Sequence, residues 1–246
     1  SYSQTLGYEN RQWELHQFRS RYHRDEVTNN RGGWAKLEFS KTEHLTSEGY
    51  FTYLKEFKGG HSLNAVAGYS YFEKNGENFN AENYDFGVEG LKYWDLGAGS
   101  YLTDGKAAMG SGKNITERLF ALYARANYSY NDKYMVSATI RHEGSSKFAA
   151  ENRWGNFWAL SGGWRVSAEE FMKEFDWVSD LKVRFGYGVT GNNDFDASYM
   201  ANTLSRDQYW MLPSGSWAYV YGPSSNVNPY LGWEEKKEWN IGVDYS

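Results

Sequence analysis

Phe120-Ala121-Leu122-Tyr123-Ala124-Arg125-Ala126-Asn127-Tyr128-Ser129-Tyr130, then Asn131-Asp132, then Tyr134-Met135-Val136-Ser137-Ala138-Thr139-Ile140-Arg141-His142 is the stretch that decides the fold. Its period is two. Phe120, Leu122, Ala124, Ala126, Tyr128 and Tyr130 fall on one side of an extended chain, and Arg125, Asn127 and Ser129 on the other. Tyr134, Val136, Ala138 and Ile140 repeat the alternation against Met135, Ser137, Thr139 and Arg141. Asn-Asp between the two runs suits a tight hairpin turn, because both residues tolerate positive φ. Small and aliphatic residues hold the middle of the apolar side and aromatic ones its ends. A bilayer-crossing strand has that order, with an aliphatic band between aromatic girdles. The core of a soluble sandwich has less reason to sort residues by depth.

The pattern extends in both directions. Leu181, Val183, Phe185, Tyr187 and Val189 alternate with Lys182, Arg184, Gly186 and Gly188. Trp158, Leu160, Gly162, Trp164 and Val166 form another such row, as do Leu63, Ala65, Ala67, Tyr69 and Tyr71. Trp239, Ile241, Val243 and Tyr245 form the last. Residues 34–42 and 49–57 read as a hairpin, 13–23 as a strand and 24–32 as a turn, while 1–8 have no clear pattern. About nine strands result, each near the 9–11 residues that cross a bilayer. Lys58-Gly59-Gly60 and Asn131-Asp132 are tight turns, whereas 73–117, 144–152 and 192–234 are long polar loops. Short turns on one side and long loops on the other are the outer-membrane arrangement. Residues 167–179 fall on the short-turn side and are expected to hold a short helix, with Ser167 as N-cap and Glu170 closing a capping box.

Composition agrees with this reading and excludes others. Of 246 residues, 19% are aromatic, and only 3 are Pro, which removes a ladder donor from a strand. Mean hydropathy is −0.77 and no apolar run of about 18 residues exists, so a transmembrane helix is excluded and a transmembrane barrel is not. The net charge of −5 gives no basic footprint for nucleic acid. With no Cys there is no disulfide framework and no thiolate metal site.

The motifs for chemistry fail on context. Gly186-Tyr187-Gly188-Val189-Thr190-Gly191 fits G-x-G-x-x-G but lies in and at the end of a strand, with no helix after it. Gly110-Ser111-Gly112-Lys113 lacks the leading Gly and following Ser/Thr of a P-loop. Asn192, Asn193, Asp194 and Asp196 could ligate Ca²⁺ but suit a turn better. No catalytic group, cofactor or metal is expected. The candidate lipid-facing residues are Phe120, Leu122, Ala124, Ala126, Val136, Ala138, Ile140, Leu160, Val183, Phe185 and Ile241. Arg125, Arg141 and Arg184 are the candidate lumen-facing ones. Tyr209, Trp210, Trp217, Tyr219 and Tyr221 lie close together in one long loop. Flat rings there could stack on a ligand, or pack the loop's own core. A soluble, aromatic-rich glycan-binding β-protein stays open at this level, as does a stand-alone outer-membrane barrel or adhesin.

From Leu122 onward the chain resembles the barrel of the SusC/RagA type of TonB-dependent transporter. The blocks are Tyr123 to Tyr130, Arg141-His142-Glu143-Gly144-Ser145-Ser146-Lys147-Phe148, Asn152-Arg153-Trp154-Gly155 and Gly163 to Met172. They continue with Leu181-Lys182-Val183-Arg184, Gly188 to Asn192, Asn228-Pro229-Tyr230-Leu231-Gly232-Trp233-Glu234 and Trp239 to Tyr245. They occur in the family's order over about half the chain, and His142 stands where the family usually has a basic residue. The resemblance implies an antiparallel 22-stranded barrel in the outer membrane, lipid around it and an N-terminal plug within. It further implies TonB acting through a region outside this chain, a SusD-like lipoprotein lid, and import of an oligosaccharide or peptide. The expectation is that these residues are one portion of that barrel, without the plug.

Overall fold

The computed structural model describes the chain apart from residues 115, 176, 196–203 and 224–227, with backbone alone at 204–208. Its described strands are β1 (Tyr2–Arg19), β2 (Trp34–Phe57), β3 (His61–Tyr84), β4 (Ala108–Lys113), β5 (Glu117–Tyr130) and β6 (Tyr134–Ser145). They continue with β7 (Trp154–Arg165), β8 (Leu181–Asn192), β9 (Leu204–Met211), β10 (Trp217–Pro223) and β11 (Glu234–Tyr245). Nine form one sheet in the order β1-β2-β3-β5-β6-β7-β8-β11, with β4 added on β3, while β9 and β10 pair separately. The order is an up-and-down meander, and the sheet is open, with β1 and β11 as its outer strands.

Two compact units divide the chain: residues 1–7, 46–73 and 117–246 in one, 8–45 and 74–116 in the other. In the first, register turns the sequence alternation into two faces. Ala124 stands opposite Ile140, and Ile140 opposite Trp158. Ala126, Ala138, Leu160, Tyr187 and Trp239 form the next row across five strands. Tyr128, Val136, Gly162, Phe185 and Ile241 follow, then Tyr130, Tyr134, Trp164, Val183 and Val243. Each row is apolar throughout, and its large side chains point outward. Ile140 is 53% exposed, Leu160 48% and Ile241 62%. Val189, expected on the same row as Val183 and Phe185, is instead buried near the loop end. The other face is small or polar: Asn127, Ser137, Ser161, Gly186 and Asn240 form one row.

The tight turns fit their sequences. Asn131 and Asp132 have φ of 50° and 54°, and Gly59 and Gly60 have 90° and 80°. Asn131 N–H donates to the Gly60 carbonyl at 2.7 Å, so the two adjacent turns are fastened together. At the other end of the sheet Trp154 stacks on His142, with centroids 4.7 Å apart, and lies where a Gly144 side chain would be.

Several sequence expectations are corrected. Residues 34–57 are one 24-residue strand, not a hairpin. Ser47-Glu48-Gly49 reads as a break, but these residues are engaged across the sheet: Glu48 accepts from Tyr123 OH at 3.0 Å, and Ser47 Oγ meets Tyr69 OH at 3.2 Å. β1 runs from Tyr2 to Arg19, covering residues without a pattern and stopping before His23. The turn at 24–32 holds a short helix, α1 (Arg24–Thr28), whose Asp25 N–H bonds the His23 ring at 3.3 Å. The polar stretch 73–117 is not simply a loop, because β3 continues to Tyr84 and β4 pairs with its last third. At 166–172 there are two 3-10 turns in place of a capped helix, and Ser167 Oγ donates to Asp180 at 2.8 Å instead of accepting a backbone N–H as a cap would.

The second unit is held by polar contacts as much as by apolar ones. Glu26 is fully buried and paired with Arg31 at 2.8 Å. Arg31 lies over the Tyr84 ring at 4.4 Å and Arg19 over Trp34 at 4.5 Å. Trp34 and Tyr84 both donate to Glu82, at 3.1 and 3.0 Å. Buried Asn83 bonds the carbonyls of Leu96 and Gly99, next to buried Phe86.

Two predictions follow from the first unit. Ile140→Arg should destabilise the barrel by about 2–4 kcal/mol in lipid, against little change for Ser137→Arg on the other face, measured by reversible unfolding in vesicles. The second concerns Glu169, which accepts from Tyr134 OH at 2.6 Å and Trp164 Nε1 at 3.1 Å, with Lys133 at 3.4 Å. The Tyr134 and Trp164 hydrogen bonds, then Lys133, hold its carboxyl below the usual glutamate range. Its stabilising effect should therefore be complete above that range and disappear as pH falls through the lowered value. Unfolding midpoints from neutral to acid pH should show this decline in the native chain, and Glu169→Gln should flatten it.

Candidate functional site

β9 and β10 form a two-stranded hairpin inside the long connection between β8 and β11, so that stretch is not plain loop. Tyr219 stands directly opposite Tyr209, Trp217 opposite Met211 and Ala218 opposite Trp210. Directly opposed residues share a face. Tyr209, Met211, Trp217 and Tyr219 are therefore together, with the tyrosine hydroxyls in contact and the rings 4.3 Å apart. Trp210 is on the opposite face, and Tyr221 sits where the register shifts between Val220 and Gly222. The sequence brought five rings together; the hairpin keeps three of them as a group and turns one away. Both tryptophans are 67% exposed, so their rings are open to contact rather than enclosed in a loop core.

The loop end of the sheet has a core of its own, built by residues quoted above for the resemblance but given no task there. Phe148 is buried and meets Trp233 and Phe195, each with centroids 5.1 Å away. Phe157 packs on Trp233 at 5.0 Å, and Trp233 Nε1 donates to the Arg153 carbonyl at 2.9 Å. Lys147 bonds the Phe195 carbonyl at 2.9 Å and pairs with Glu117 at 3.4 Å. Ser145, buried beside them, accepts from Asn193.

The three arginines lie on the polar face. Arg141 holds Glu143 through two bonds, at 2.7 and 2.8 Å, and reaches Ser70 on β3 at 3.3 Å. Arg184 pairs with Asp244 on β11 at 2.7 Å. Arg125 contacts only Asn127 among the described partners, at 3.4 Å. Beside Arg184 is a depression of about 470 Å³ whose polar lining includes Asn64, Asn127, Ser137, Ser161, Arg184 and Asn240. Hydroxyls, amides and paired charges in that arrangement offer many hydrogen bonds and no nucleophile with a base.

Gly186, Gly188 and Gly191 all lie within β8, facing Ser161, Ala159 and the Phe157 ring, so the G-x-G-x-x-G match is strand, not phosphate loop. Gly110 to Lys113 are in β4, paired with β3. Asn192 accepts from Asp194 N–H and donates to Glu234. Asp196 lies outside the described residues. Among the described residues no group of three or more His, Asp or Glu is placed to hold a metal.

The sheet and its two unlike faces match a known family throughout: the model described as TonB dependent receptor-like, beta-barrel covers residues 1–246. The chain belongs to this family. TonB-dependent receptor P39 of Formosa agariphila is 32% identical over 257 residues, covering 100% of this chain and 22% of that receptor. TonB-dependent receptor SusC of Bacteroides thetaiotaomicron is 36% identical over 129 residues, 52% of this chain and 13% of SusC. The solved RagAB peptide importer in its closed-closed state shares the fold, with a TM-score of 0.80 at 19% identity over 99% of this chain and 26% of that one. The SusC/RagA resemblance read from the motifs thus agrees with these relatives. This barrel segment spans about a quarter or less of the proteins it matches.

In this TonB-dependent receptor segment the hairpin rings should be mutually supporting. Tyr219→Ala should cost about 0.2–1 kcal/mol of local stability. Amide exchange should quicken in β9 and β10 and stay unchanged in β5 to β8.

Proposed function

We propose that this chain is part of the wall of an outer-membrane active importer for oligosaccharides or peptides, driven through TonB and covered by a SusD-like lipoprotein. The observation that carries the proposal is the sorting of the sheet. One face bears apolar rows bounded by aromatic rings, and the other bears small polar residues and paired charges. Only lipid on one side and water on the other make that arrangement stable. The tight turns then lie at the periplasmic end and the long connections at the cell surface. β2 and β3, at 24 residues each, are longer than the about 9–11 residues that cross a bilayer. Their excess residues are then left for water, where a lid and an arriving ligand first meet the barrel.

In this reading Arg125, Arg141 and Arg184 face the lumen. Tyr209, Trp217 and Tyr219 present one aromatic surface of the hairpin to ligand or lid, with Trp210 on the other side and Tyr221 at its edge. The RagAB peptide importer, which shares the fold, favours a cargo of peptide size over a small ion.

The test uses the complete receptor gene in its own host. Uptake of labelled oligosaccharide and peptide pools is measured in cells whose chromosomal copy is replaced by variants. Trp217→Ala with Trp210→Ala should reduce uptake several-fold while surface amount and heat-modifiable mobility of the barrel stay normal. Uptake that persists without TonB would refute the importer reading. Full uptake by the double variant would leave importer standing and remove the hairpin from the ligand's path.

A further inference from the structure

The connection between β7 and β8 is much longer than the other turns at its end of the sheet. A meander needs about two residues to reverse direction, yet residues 166–180 do so here. Its base is closed tightly. Asp180 accepts from Ser167 at 2.8 Å and pairs with Arg165 at 3.3 Å, and Asp180 N–H and Ser179 N–H both donate to the Ser246 carbonyl. The excess chain therefore forms a compact projection rather than a loose loop.

That projection carries large apolar side chains in the open. Phe171 is 57% exposed and Trp177 70%. Phe175, also exposed, meets Trp177 edge-on with centroids 6.4 Å apart. Water alone gives no reason to display three such rings on a short polar turn.

The contacts of the projection show which face of the sheet it follows. Trp177 meets Tyr245, at 6.3 Å between centroids, and Tyr245 belongs to the apolar side of β11 with Val243 and Ile241. Glu169 is bonded to Tyr134 and Trp164, both in the terminal aromatic row of the apolar face. Two separate attachments thus hold the projection beside the apolar rows. Of the outward charges, Lys173 and Glu170 are paired with each other at 2.8 Å, and Glu174 is exposed beside them. A neutralised pair at the rim is cheaper to bring to a headgroup layer than two free charges.

We infer that residues 166–180 are an interfacial anchor, whose Phe171, Phe175 and Trp177 enter the headgroup–acyl boundary of the phospholipid leaflet at the short-turn end. The projection continues the aromatic row of Tyr130, Tyr134 and Trp164 sideways, off the strands and into the membrane surface. Aromatic rings with a polar tip prefer that depth, and apolar area buried there adds attachment. The anchor would resist vertical sliding and tilting of this part of the wall, which matters in a barrel whose plug is pulled from the periplasmic side. The inference rests on the reading that the apolar face meets lipid.

The test reads depth directly. Nitroxide labels are placed in the complete receptor, reconstituted in phospholipid vesicles, through Glu174→Cys in the projection and Leu160→Cys on the apolar face. Collision with oxygen and with a water-soluble nickel chelate gives the depth of each. The Leu160 label should lie in hydrocarbon and the Glu174 label at the headgroup boundary. Adding Phe171→Ser and Trp177→Ser should move the Glu174 label into water and leave the Leu160 label in place. A Glu174 label that is already in water with the rings intact, or that does not move when they are removed, overturns the anchor alone. A Leu160 label in water overturns the lipid-facing reading itself and the anchor with it.

Discussion

The structure depends on register. In antiparallel pairs the side-chain period is two, so a slip of one residue on any strand would send its apolar side chains to the polar face. Each strand here agrees with its neighbours across the sheet: Ala126, Ala138, Leu160, Tyr187 and Trp239 fall in line, as do Asn127, Ser137, Ser161, Gly186 and Asn240. Backbone groups that have no water partner in lipid must be paired strand to strand. The same ladder that pairs them thus fixes which residues share the apolar face. Turn geometry at Asn131-Asp132 and Gly59-Gly60 sets this register locally, before any long-range contact is made.

That constraint explains how much could be read without coordinates. Where the two faces of the sheet differ the alternation is strict, and β5, β6, β7, β8 and β11 were all legible along with their tight turns. Where both faces are polar the alternation lapses. The outer part of β3, with Glu73, Lys74, Asn75 and Glu77, therefore looks like loop although its hydrogen bonds are those of a strand. Gly49 in β2 misleads for a different reason: it is small because the Tyr69 ring occupies the space of a side chain there. Buried Glu26 could not have been found among its charged neighbours, since its partner Arg31 is in turn held over the ring of Tyr84, which comes from β3.

The candidate site shows the same division. Clustered aromatics at 209–221 are visible in sequence, but their sorting onto two faces requires the pairing of Tyr209 with Tyr219. The arginines share a polar face with Asn127, Ser137 and Asn240, as alternation alone suggests. Contacts such as Ser70 and Asp244 are not visible in sequence, because they lie on other strands. The loop-end core of Phe148, Phe157 and Trp233 joins residues far apart in sequence: they are one packing unit distributed along the chain.

The fastening of Gly60 to Asn131 has a consequence for assembly. Most strand pairs in this sheet are neighbours in sequence and can close as local hairpins at small entropic cost. β3 and β5 are different, because the whole excursion through β4 separates them. The single bond between the two preformed turns brings the ends of the β2–β3 and β5–β6 hairpins together without closing that excursion first. Once it is made, pairing can propagate along β3 and β5 away from the turn, like a zip started at its stop.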